Sequence, residues 1–327
     1  GSLLDEALST GGDFAEIYVE DTESNALTML GGTVYKASAG RDYGVGVRIF
    51  DGYNAIYAYT CGSDKEEIAK IVKKAAQALK KDGRIQRAEL KEDIIDNIHI
   101  IQIPPHKIEK SKKVQLMTAA HKAAKSVDSL ISQVSINYSD SKKHILVANS
   151  DGRFVEDDRT YVRMHISAVA SKGNEMQTGV DGPGAHCGFE FFESLDVEEY
   201  ARKAARTAVT MIHANYCPGG RMPVVLANGF GGVIFHEACG HGLEATSVAK
   251  GNSVFAGKVG QKVANEKVTA IDDGTIPNAW GSTNIDDEGT PTQKRILIEN
   301  GILKGYMIDL LNARRMNAKS TGSGRRQ

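Results

Sequence analysis

Apolar and polar residues alternate in short runs over the first sixty positions, the period of half-buried strands. Phe14 to Glu20, Ala26 to Leu30 and Thr33 to Ser38 are such runs, and Gly31-Gly32 supplies a turn between the last two. Tyr43 to Phe50 and Tyr53 to Thr60 form the clearest hairpin, with Asp51-Gly52 as a two-residue turn that tolerates positive φ. The period then changes. Ile68, Ile71, Val72, Ala75, Ala76 and Leu79 make one stripe of a helix predicted over 65–81, with Ser63 and Glu66 at capping-box spacing.

Pro104-Pro105 separates this unit from a second one of similar order. A helix from Lys107 to Val127 has Met117, Ala120, Ala124 and Val127 on one side. Strands follow at Leu130 to Ser139, His144 to Asn149, Phe154 to Ala170 and Glu175 to Val180, with Asp151-Gly152 as a turn. A helix from Val197 to Ala214 starts at Asp196, with Glu199 three residues on. Meanders followed by helices indicate an α+β fold with a largely antiparallel sheet, and a two-unit duplication of strands then helix.

Cys217-Pro218-Gly219-Gly220 is the best boundary, dividing an α+β N-terminal domain at 1–218 from a different unit at 219–327. There a strand is expected at Met222 to Ala227, then a helix opened by Asn228-Gly229-Phe230-Gly231-Gly232. A loop-dominated stretch runs to Trp280. Arg295 to Glu299 and Leu303 to Met307 read as a hairpin across Asn300-Gly301, and Asp309 to Ala318 as a last helix.

The 327 residues are 41% hydrophobic and 25% charged, with 40 basic against 41 acidic side chains. Near-neutral charge without a basic stripe argues against nucleic acid as partner. No apolar run approaches the roughly 18 residues of a membrane span, so a chain that neither crosses nor anchors to a membrane is expected. Cys61, Cys187, Cys217 and Cys239 are far apart and form no C-x-x-C pair, consistent with reduced thiols and a cytoplasmic setting.

Candidate chemistry concentrates in His236-Glu237-Ala238-Cys239-Gly240-His241. The familiar H-E-x-x-H places two histidines one turn apart, where they bind zinc while the glutamate serves as general base. Here the spacing is five, which on an ideal helix separates the imidazoles by about 140°. A π-type turn, with its i to i+5 ladder, would close the gap, and Gly240 is the residue that could permit it. Glu237 and Glu244 fall in the sector between the histidines, at about 100° and 80°. Glu237 fits the base; Glu244 either orients His241 or is itself a ligand. Cys239 lies outside that sector and reads as a small buried residue.

The string Phe235 to Ala245 (F-H-E-A-C-G-H-G-L-E-A) resembles the signature of the TldD/PmbA metallopeptidase family, in its TldD branch. Three further segments match in order: Tyr43 to Arg48 with Tyr57-Ala58-Tyr59; Asp286-Asp287-Glu288-Gly289; and Gly322-Ser323-Gly324-Arg325-Arg326. The resemblance implies a zinc-dependent peptidase that cleaves unstructured peptides inside a dimer cavity, as a homodimer or with a TldE/PmbA-like subunit. It makes His236 and His241 zinc ligands and Glu237 the general base. It also implies that 219–327 begins a β-rich, barrel-like metallopeptidase domain whose third ligand, a cysteine, follows the Gly-x-Gly-Arg-Arg stretch. The sequence stops at Gln327, so a C-terminally truncated chain with a weakened or empty zinc site is expected.

Other motifs read blandly. Gly251 to Lys258 lacks the spacing and the Ser or Thr of a phosphate loop, and Gly44-x-Gly46 lacks the third glycine of a dinucleotide fingerprint. His165, His186 and His213 read as structural histidines. The alternative from another class is a non-catalytic subunit that binds extended peptides along a sheet edge.

Overall fold

A computed structural model describes residues 1–79 and 89–326. The chain runs α1 (Ser2–Ala7), β1 (Phe14–Leu30), β2 (Thr33–Asp51), β3 (Asn54–Thr60), α2 (Lys65–Gln77), β4 (Lys91–Glu92), α3 (Lys110–Lys125), β5 (Ile131–Asn149), β6 (Arg153–Lys172), β7 (Glu175–Asp181), β8 (Gly184–Ala185), α4 (Glu190–Glu193) and α5 (Val197–Ile212). Then come α6 (Val233–Phe235), a π turn at His236–Gly240, α7 (Ala245–Val248), β9 (Ala270–Asp273), β10 (Lys294–Glu299), β11 (Ile302–Leu303) and α8 (Leu310–Met316).

The architecture is mixed helix and antiparallel sheet. One sheet has the path β3-β2-β1-β5-β6-β4, with β7 and β8 also on β6, and a second has the order β11-β10-β9. The second sheet does not close into a barrel among the described residues, so the barrel-like form expected for 219–327 is not seen there. The first sheet differs from expectation in strand length. Runs read as separate short strands fuse into β1 and β2, of 17 and 19 residues, and into β5, of 19. The polar stretch Asp21 to Asn25 has little strand propensity of its own, yet it is paired on both sides, to β2 and β5, and that pairing overrides propensity.

Turn positions shift slightly. Asp51 pairs with Asn54, so the hairpin loop is Gly52-Tyr53, one residue later than expected, with Gly52 at φ 59° where positive φ is required. Asn300-Gly301 is as expected, with φ 49° and 80°. Helix α2 is capped by Asp64, whose carboxylate accepts from the N–H groups of Glu66 and Glu67 at 2.8 and 3.2 Å, in place of the Ser63 box. The expected end of that helix at 80–81 lies outside the described residues.

Helices cover one face of the large sheet. Near its turn-bearing end α1 and α2 pack on Ile17, Val45, Val47 and Ile49, and farther along α3 and α5 pack on Met29, Ile136, Tyr138 and Met164. Each buried Ile, Val or Met adds roughly 1.5–3 kcal/mol. The opposite face carries Glu16, Tyr18 and Arg48 with Ile145, Val147, Val155, Asp157 and Arg159. Residues 285–289 and 324–326 settle on it, and Ile285 completes its small apolar cluster. No helix among the described residues is long and apolar enough to cross a membrane.

Candidate metal centre and its cavity

The segment leading to the His/Glu cluster departs from expectation. Met222 to Ala227 is not a strand, and Val224, Val225, Leu226 and Phe230 are exposed. An apolar run predicts burial only where a partner surface exists, and none of the described residues covers this one.

From Gly229 the backbone coils through a 3₁₀ turn and α6 into the π turn, where the N–H of His241 donates to the carbonyl of His236, an i to i+5 bond. That widened turn brings the two imidazoles edge to face, with ring centroids 4.5 Å apart and planes at 71°. Gly240 has φ −54° and ψ −57°, ordinary right-handed values, and a Cβ there would meet only the His236 ring at 3.6 Å. The π geometry therefore does not depend on glycine at this position. Gly242 is the constrained one, since a Cβ would come within 3.0 Å of the Phe255 ring.

Beyond His241 the chain is tied to the apolar core of the third segment, the part of the chain from residue 219 onward. Leu243, Ala245 and Val248 pack with Leu297, Ile298, Leu303 and Ile308, while Cys239 is partly buried against the same cluster. The Ala245 N–H donates to Met307 O at 2.8 Å, and the Met307 N–H to Leu243 O at 3.0 Å. His241 Nδ1 lies 2.9 Å from Glu244 Oε1, and His241 Nε2 lies 4.0 Å from Glu237 Oε2. One donor atom each from His236, Glu237 and His241 falls within 4.8 Å of the others, and all three residues are exposed. The donor set, two imidazoles and a carboxylate, suits a borderline-soft divalent ion.

A cavity of about 560 Å³ adjoins this cluster, walled by His241 and Glu244 on one side and by Arg48, Glu288, Arg325 and Thr292 on the others. Its far wall is an ionic clamp whose function the spacing of residues did not reveal. Arg159, 1% exposed, donates to Asp157 at 2.9 Å, to Asp287 at 2.6 Å and to the carbonyl of Ile285 at 2.8 Å. Arg48 bridges Glu16 and Glu288 at 3.1 and 2.7 Å, and Arg326 also reaches Glu16. Burial pushes Asp287 up, but Arg159, Arg325 and the Arg326 N–H outweigh it and leave the carboxyl below its ordinary range. Burial and the neighbouring Glu288 lift Asp286 to about 7, against the N–H groups of Gly324, Thr290 and Glu288 that favour its anion. Asp286-Asp287-Glu288 is therefore a fastening between segments far apart in sequence. The only hint of it in the sequence was the recurrence of these segments in the resemblance.

Among the histidines read as structural, His186 is fully buried. Its Nδ1 lies 3.0 Å from Ser282 O, and it stacks on His99 at 3.8 Å and on Tyr161 at 4.5 Å. His165 and His213 take no part in the His/Glu cluster.

Sequence profiles of three consecutive domains of one family cover most of the chain. The PmbA/TldA metallopeptidase domain 1 matches residues 15–79, the central domain 103–212 and the C-terminal domain 219–327. The chain belongs to the PmbA/TldD family. It is 35% identical over 331 residues to the metalloprotease TldD homolog of Buchnera aphidicola from Acyrthosiphon pisum, covering 99% of this chain and 68% of that relative. It is 34% identical to a metalloprotease of Methanocaldococcus jannaschii, covering 98% and 71%. The fold is that of TldE from Thermococcus kodakarensis, with a TM-score of 0.74 at 23% identity over 97% of this chain and 71% of that one. A Thermotoga maritima protein described as a candidate modulator of a DNA gyrase shares it too, with a TM-score of 0.80 at 24% identity over 95% and 71%. With relatives named as metalloproteases, this PmbA/TldD chain is a candidate metallopeptidase with a candidate metal cluster.

Proposed function

We propose that the chain is the catalytic type of subunit of a zinc-dependent peptidase that acts on unstructured peptides, with the metal-bearing unit at 219–327. The observation that carries this reading is the π turn, which puts His236, Glu237 and His241 side by side despite a spacing that an ideal helix would splay. His236 and His241 would hold the ion, and an ion there supplies Lewis acidity and lowers the pKa of its water. Glu237 is assigned the general base, its carboxylate taking a proton from water and passing it to the leaving amine. Glu244 accepts a hydrogen bond from His241 Nδ1, which fixes the tautomer that leaves Nε2 free as a donor to metal. The clamp of Arg159, Asp287 and Arg326 holds the cavity wall opposite these groups.

A homodimer or a complex with a TldE-like subunit would complete the enclosure, and a cytoplasmic setting fits the four free thiols. A peptide-binding subunit without catalysis remains the second reading, favoured by the exposure of the whole cluster. The test is zinc stoichiometry and cleavage of an unfolded peptide by the wild-type chain and by Glu237→Gln. The expected result is that Glu237→Gln keeps whatever zinc the wild-type chain holds and lowers cleavage at least about 100-fold. Zinc bound equally by His236→Gln with His241→Gln, or turnover indifferent to Glu237→Gln, sinks the peptidase reading.

A further inference from the structure

The charged groups that wall the cavity beside His241 and Glu244 fall into two kinds. Most are already spent within the protein. Arg48 is taken by Glu16 and Glu288; Asp309 accepts from the Asn312 N–H at 2.8 Å; Glu244 faces His241. Arg326 donates to Glu16 and, at 3.0 Å, to the carbonyl of Asp287, with its guanidinium 4.7 Å from the centre of the Tyr18 ring. Asp272 also lines the cavity, with no side-chain hydrogen bond or ion pair among the described residues. Among the cations, Arg325 is different. It makes one hydrogen bond, Nε to Asp287 Oδ2 at 3.2 Å, to a carboxylate that also receives Arg159 and the Arg326 N–H. Its two terminal nitrogens have no hydrogen-bond partner among the described residues, and its side chain is 57% exposed.

The backbone before it is held closely. Gly322 sits at φ 69°, and a Cβ there would lie 2.3 Å from the Pro291 carbonyl oxygen. A Cβ on Gly324 would lie 2.6 Å from a Glu288 carboxylate oxygen. The Gly324 N–H donates to Asp286 at 2.8 Å, and its carbonyl accepts from the Asp287 N–H at 2.8 Å. Both consecutive arginines line the cavity, but Arg326 is drawn onto the sheet by Glu16 and Tyr18, whereas Arg325 leaves its terminal nitrogens open on the wall.

We propose that Arg325 is a specificity-determining residue: its two free guanidinium nitrogens bind a carboxylate of an extended peptide lying in the cavity. Guanidinium and carboxylate match as a planar two-bond pair, which lysine cannot reproduce. The carboxylate comes from the peptide C-terminus or from an Asp or Glu side chain. That the ligand is a peptide rests on the proposed function above.

Three fluorescein-labelled six-residue peptides of Ala, Ser and Gly decide it: one with a free C-terminal carboxylate, its C-terminal amide, and the amide with one internal Glu. Binding is read by anisotropy with zinc present, on the Glu237→Gln background so that the peptides survive. Arg325→Gln is expected to weaken one or both carboxylate peptides about tenfold and to leave the plain amide unchanged. Which of the two responds names the source of the carboxylate. Arg325→Lys, which keeps the charge, is expected to retain part of the preference and guards against a folding defect. Equal weakening of all three peptides, no change in any, or no binding by the parent chain overturns the proposal. A preference that follows Arg325 in a chain that cleaves nothing would leave this proposal standing and remove the peptidase reading.

Discussion

The two faces of the large sheet are held by different physics. On the helix-covered face Ile136, Met164, Val47 and Ile49 are fully buried in apolar clusters, and a buried ion pair joins Lys113 of α3 to Asp140 of β5 at 2.5 Å. On the opposite face the contacts to the third segment run through Arg159, Asp157, Asp287, Arg48, Glu16, Glu288 and Arg326, with a small apolar patch around Ile285. Apolar burial is non-directional and tolerates sliding and repacking. A fork of hydrogen-bonded charges is directional, and it is costly when one member is lost. The face that carries the helices is mainly apolar, crossed by the Lys113 to Asp140 ion pair between α3 and β5; the face that presents the cavity wall is mainly ionic.

The sharpest way to break this comparison is to remove the centre of the clamp. Arg159→Ala leaves Asp157 and Asp287 buried without their partner, and should cost about 3–5 kcal/mol of unfolding free energy. Urea denaturation checks it. The same variant should also loosen the cavity wall that carries Arg325. A loss below about 1 kcal/mol would mean that the third segment is held by something other than these charges.

Legibility in the sequence divides along the same line. The helix face could be read almost residue by residue, because Ile68 to Leu79 and Val197 to Ile212 repeat at helical period and strands alternate at period two. The strands' full lengths could not, since Asp21 to Asn25 becomes strand only by pairing on both sides. The ionic face was opaque: Arg48, Arg159, Glu288 and Arg326 carry no local signal, and only folding shows that they meet. At the cluster the five-residue spacing implied a π turn, and one is present, but the role suggested for Gly240 has no counterpart in its dihedrals. Met222 to Ala227 was misread because an apolar run is silent about whether its partner surface is at hand.

A second test concerns pH. His99 and His186 stack between the sheet and the loop that carries Trp280, the single tryptophan of the sequence. Asn278 N–H donates to His99 Nδ1 at 3.1 Å, while His186 Nδ1 faces Ser282 O, so the third segment contacts both rings. Burial, reinforced by His186, lowers His99 to about 4, and burial also lowers His186. In the unfolded chain both rings titrate near 6.5. Between roughly pH 6.5 and 4 these two rings bind more protons in the unfolded state and lower stability as pH falls, whereas Asp286, lifted to about 7, works the opposite way across the same window. Trp280 emission and urea midpoints should both track the balance. His99→Gln should shift the slope toward greater stability at low pH; an unchanged slope would show that carboxylates of the clamp, not this stack, govern the pH dependence.

The smallest effect is the most discriminating. Ile136→Val removes one methylene from the helix-covered face and should cost about 1 kcal/mol. Because Ile136 is fully buried among α3, α5 and the sheet, on the face away from the third segment, the loss should appear in urea and nowhere else. Zinc stoichiometry, peptide binding and Trp280 emission should match the parent chain in native buffer. A change in any of these would mean that the sheet transmits packing strain from one face to the other, since close-packed interiors respond even to single methylenes. The separation between a face that stabilises and a face that positions would then fail at its simplest point.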